Sequence, residues 1–132
     1  MQLVIAYIAT AVTFLAIDFI WLGYLAHGFY RAQIGHLLAD QFNMAAAVGF
    51  YLIYLVGVMI FAVSPAIRSG QWTDALLYGA LFGFFCYATY DMTNLATLKG
   101  WPLTVTLVDL VWGAALTGIA STAGYFAASR FG

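Results

Sequence analysis

Four long apolar stretches, the breakers between them and an almost uncharged composition predict an all-α membrane protein. The expected architecture is four transmembrane helices in an antiparallel bundle, with a short interfacial amphipathic helix between helices 1 and 2. Hydrophobic residues make up 65% of the chain and charged residues 7%, where a soluble domain carries about 45–50% and about 25%. The lipid bilayer is therefore the expected surround. A net charge of −1 argues against nucleic acid as a partner.

Each element has its own justification. A spanning helix needs about 20 mostly apolar residues, and the stretches at about 3–26, 45–63, 75–98 and 103–127 qualify, making residues 1–132 one domain. The first stretch lacks a basic leader and is interrupted by Asp18, so it reads as a retained helix rather than a cleaved signal. Ser64-Pro65 is expected to end the second, because the residue before a proline is driven out of helical geometry. Lys99-Gly100-Trp101-Pro102 forms a turn so short that the last two helices must be antiparallel neighbours.

Between the first two helices, about 28–43, Tyr30, Ile34, Leu37, Leu38 and Phe42 recur at helical spacing while Gln33, His36 and Asp40 form a separate stripe. This is the pattern of an amphipathic helix lying at the interface, or of a lid over the bundle. His36 and Asp40, one turn apart on it, are expected to pair. Gly79 and Gly83 form a GxxxG, a face for close helix contact.

Three of the five acids, Asp18, Asp91 and Asp109, lie inside the expected spans. Each costs roughly 2.5–3.5 kcal/mol at a helix centre on insertion scales, so they mark where function is to be sought. With helix directions alternating and about 1.5 Å of rise per residue, all three fall roughly 9–12 Å below one membrane surface. Trp21 and Trp112 each follow an aspartate by three residues and present an N–H on the same helix face. Tyr90, Thr93 and Asn94 surround Asp91. These eight residues make up the expected ligand or proton pocket. Like-charge repulsion among close carboxyls would favour a held proton, suited to a relay. The alternative is a hydrogen-bond network that only joins the helices, although such bonds average about 0.6 kcal/mol each. Hard oxygen donors also suit a bound cation at the aspartates, but no ligand spacing is diagnostic, and neither a metal nor another cofactor is predicted. One cysteine, Cys86, excludes an internal disulfide.

The stretches Ile17–Gly23, Phe29–Leu38, Tyr90–Leu98 and Trp101 through Gly113 resemble a family of small bacterial four-helix membrane proteins catalogued as a domain of unknown function. The resemblance covers the whole chain. It implies a bacterial inner-membrane location and brings interfacial Arg31 and His36 into the pattern, and it carries no catalytic role. The basic residues are split evenly between the two sides, and the N-terminal amine tips both termini towards the cytoplasm.

The expected function is a membrane pocket that binds or moves a small or amphiphilic ligand, with proton coupling through the aspartates. One alternative is a non-catalytic subunit or assembly factor of a larger membrane complex, making contact through Gly79 and Gly83. Another is an enzyme modifying a lipid or isoprenoid, with carboxylates as acid and base and with Arg31 and His36 at the phosphate. A homodimer is compatible with the pattern, since four helices enclose only a small core.

Overall fold

A computed structural model describes residues 1–132, of which 88% are helical and none lie in strands. Helix α1, Gln2–Ile20, runs into a π-helical turn at Trp21–Leu25. Helix α2, His27–Ile34, ends in a 3₁₀ turn at Gly35–Leu37. Helix α3, Met44–Val58, continues through a second π turn, Met59–Val63, into α4, Ser64–Ser69. Helices α5, Trp72–Thr97, and α6, Leu103–Phe131, complete the chain.

Three continuous helices are long and apolar enough to cross a membrane, namely Gln2–Leu25, Met44–Ser69 and Leu103–Phe131. The sequence led us to expect four. Helix α5 has the length, 26 residues, but Asp74, Asp91, Asn94 and its tyrosines and threonines dilute its apolar character. The outward faces are hydrocarbon: Leu3, Val4, Ile8, Val12, Leu15 and Phe19 are all exposed along α1 alone. So much continuous exposed apolar surface suits lipid and not water.

Helix α6 is the centre of the packing. Helix α5 lies along it, with Gly79 against Ser121 and Gly83 against Gly113 and Thr117. Residue numbers rise on one helix as they fall on the other, so the two run antiparallel. A Cβ placed on Gly83 would sit 2.6 Å from Thr117 Oγ1, so glycine is what lets the backbones approach this closely. The GxxxG face is thus consumed inside the chain. Helix α1 packs on another side of α6, from the Gln2 amide on the Ala128 carbonyl at 3.4 Å to Asp18 beside Trp112. Phe14, Tyr54, Leu55, Val58, Leu116 and Ala120 close the core between these helices.

Two expectations are corrected. Pro65 does not end the second long helix. The π turn before it bonds the Ser64 N–H to the Met59 carbonyl, and this wider turn relieves the contact a proline ring makes with the preceding turn. The helix stops instead at Gly70, whose φ of 73° places it in the left-handed region. The helix expected between the first two spans is also shorter than residues 28–43. It ends at Leu37, and Leu38 is already extended. His36 and Asp40 are therefore not one helical turn apart, and the basis for their pairing is lost.

Candidate functional site: a carboxylate cavity walled by aromatic rings

Asp18 is held by two helices other than its own. Its Oδ2 accepts the Tyr51 hydroxyl at 2.7 Å from α3, and its Oδ1 accepts the Trp112 indole N–H at 3.3 Å from α6. The Trp112 ring stacks on Trp21, with centroids 4.2 Å apart and planes 14° from parallel. Trp21 stands at the start of the first π turn and donates its indole N–H to the Tyr30 hydroxyl at 3.2 Å. Tyr30, on α2, in turn donates a hydrogen bond to Asp109 Oδ1. One relay of contacts thus connects Asp18 to Asp109. Burial first, and then the bond to Asp109, push the Tyr30 phenol above its usual pKa, so it stays a donor.

Asp91 takes no part in that relay. It is fully buried, its carboxyl faces that of Asp109, and neither of its oxygens accepts a hydrogen bond. A buried carboxyl without partners is costly, so this is the least satisfied polar group in the molecule.

Asp18 and Asp109 open onto a cavity of about 500 Å³. Tyr30, Tyr51, Tyr87, Tyr90, Trp101 and Trp112 provide its aromatic walls. Leu22, Ile34, Leu38 and Phe42 add hydrocarbon, and His27 and Arg31 lie on α2 at its edge. The Arg31 Nε–H donates to His27 Nε2 at 3.3 Å and to no carboxylate. No three His, Cys, Asp or Glu side chains converge on a point that could hold a metal ion.

Of the residues expected from sequence, Asp18, Asp109, Trp112, Tyr90 and Arg31 line this cavity. Trp21 supports it from behind through the stack on Trp112, and Asp91 lies behind Asp109. Asn94 is half-buried and does not line it. Thr93 is corrected outright. It is exposed, and its hydroxyl turns back to the carbonyls of its own helix, that of Tyr90 at 3.0 Å, the usual bond of a helical threonine. His36 is exposed beside Gly100 and also lies outside the cavity.

Tyr30, Tyr51 and Trp101 were not expected in the site, whereas Tyr87 shares a helix face with Asp91 and Asn94. Their signal in the sequence is a phenol or indole within otherwise apolar helices or at a helix turn, where a polar tip needs a partner.

A family model described as "Predicted membrane protein (DUF2177)" matches residues 3–126. The chain belongs to that family. No curated protein and no solved structure shows significant similarity to it. For this DUF2177 protein the cavity is therefore interpreted from its own chemistry.

Proposed function

We propose that this DUF2177 protein is a bacterial inner-membrane protein whose cavity binds or moves a small amphiphilic ligand. The observation that carries this reading is the cavity itself. Two carboxylates face into it, His27 and Arg31 stand at its edge, and its remaining walls are aromatic and aliphatic. That is the usual composition of a ligand site, mostly apolar with a few convergent polar groups. Asp91, buried against Asp109, offers a place for a proton and so for coupling between proton and ligand.

In this reading α5 spans as well, completing a four-helix antiparallel bundle with both termini on the cytoplasmic side. Its length and its close seat along α6 support this. The assembly-factor alternative loses the contact face suggested for it, because Gly79 and Gly83 are covered by α6. The enzyme alternative keeps Arg31 at the cavity and loses His36.

The test is extraction. Protein purified into nanodiscs of one defined lipid should yield a further small amphiphile by mass spectrometry, near one per chain. The Asp18→Asn, Asp109→Asn double variant should yield none. Native protein that carries nothing, and whose tryptophan emission is unmoved by added amphiphiles, would overturn the proposal.

A further inference from the structure

Resting on the reading of the cavity as a ligand site, we infer that its ligand carries an ammonium group, seated between Asp18 and Asp109 against the aromatic walls. The charge balance comes first. Asp18, Asp91 and Asp109 are all buried, and the donors that reach them are neutral: Tyr51, Trp112 and Tyr30. Arg31, the one arginine that lines the cavity, donates to His27. A proton shared between Asp91 and Asp109 would cancel one carboxylate charge, and Arg31 at the edge of the cavity offsets another without pairing with a carboxylate, leaving a net charge of about −1. Carboxylates in an apolar surround are stable only when paired, so the site has affinity for positive charge.

The shape of the cavity chooses among cations. A volume of about 500 Å³ is far larger than a metal ion needs, and the acidic side chains do not converge on a single point. The walls are tyrosine and tryptophan rings, whose faces attract organic ammonium groups and bind quaternary ones especially well. Asp91 adds an independent sign. It is fully buried with both oxygens unpartnered, behind the carboxylate that lines the cavity. With Asp109 it keeps a net negative charge at that end even when the two share a proton, and it does not line the cavity itself. Leu22, Leu38 and Phe42 then suit the hydrocarbon attached to the ammonium.

The experiment compares probes of matched chain length on the full protein in nanodiscs, with tryptophan emission as the readout. Octyltrimethylammonium is set against octanol, octyl sulfate and tetramethylammonium. We expect octyltrimethylammonium to bind at least about tenfold more tightly than octanol. Asp109→Asn should remove that advantage, with an unchanged helical circular dichroism spectrum and a single size-exclusion peak showing that the variant is folded. Equal binding of octyltrimethylammonium and octanol would overturn the inference while leaving the ligand-site reading standing, and so would tighter binding of octyl sulfate. Tetramethylammonium binding as well as its octyl counterpart would support the ammonium site and remove the amphiphile from the reading. Silence from all four probes would overturn both.

Discussion

Trp21 and Trp112 stack face to face at 4.2 Å, and each indole N–H points at a different end of the polar relay, one to Tyr30 and the other to Asp18. The pair joins the π turn after α1 to the middle of α6. Two tryptophans this close and nearly parallel should couple optically. Circular dichroism in the aromatic region is expected to show a feature that disappears in both Trp21→Phe and Trp112→Phe; its persistence in either variant would contradict the stack.

Trp112→Phe also removes one of the two donors to Asp18 and leaves Tyr51 alone on a buried carboxylate. The expected loss is about 1–3 kcal/mol. Tyr51→Phe should cost a similar amount, and the two together should be non-additive because they share one acceptor. Denaturant-driven unfolding in mild detergent measures both.

Asp91 gives the opposite expectation. No phenol, indole or amide donor reaches either of its oxygens, and an amide can donate to Asp109 as a protonated carboxyl would, so Asp91→Asn should change stability by no more than about 1 kcal/mol, or raise it. Asp18→Ala, which strands a phenol and an indole, should cost more. If the order of these two variants is reversed in unfolding experiments, Asp91 has a bonding role that its geometry does not reveal.

Glycine at the α5–α6 contact is a matter of space. Gly83→Ala places a methyl group against the Gly113 carbonyl and 2.6 Å from Thr117 Oγ1, and should cost about 1–3 kcal/mol as overpacking. Gly49→Ala on α3 meets nothing within 4 Å and should be neutral or slightly stabilising, by up to about 1 kcal/mol. Thermal unfolding of the pair separates steric cost from helix propensity.

The Tyr30 phenol is held neutral by burial and then by Asp109. Its folded pKa lies above the ordinary value near 10. Its contribution to stability is therefore complete below about pH 10 and fades as pH rises from there towards the elevated folded value. In an ultraviolet titration, Tyr30→Phe should remove a late-ionising tyrosine and leave the amplitude near pH 10 unchanged.

Much of this site was legible in the sequence because burying charge in an apolar segment is expensive. Asp18, Asp91 and Asp109 stood out for that reason alone, and helix direction with rise per residue predicted a common level for them. The i, i+3 spacing pointed to Trp21 and Trp112, which stack on each other, but not to their partners. Trp112 bonds to the aspartate of α1 rather than to Asp109, three residues earlier on its own helix. Such choices depend on the rotation of each helix about its axis, which a nearly uniform apolar pattern does not encode. The same ambiguity placed Thr93 in the pocket, when its hydroxyl is satisfied by its own backbone. Pro65 misled because a π turn can absorb a proline, and no residue pattern announces that turn.

Helix α6 follows all the others in the chain, yet Asp18, Tyr54 and Gly83 all find partners on it, Trp112, Thr117 and Gly113 among them. Synthesis proceeds from the other end. Asp18 and Asp91 are thus both made before the helix that carries their neighbours Trp112 and Asp109. The interior between α1, α3 and α5 is therefore closed only once α6 is made, and a ribosome stalled before Leu103 would leave those three helices without their shared partner.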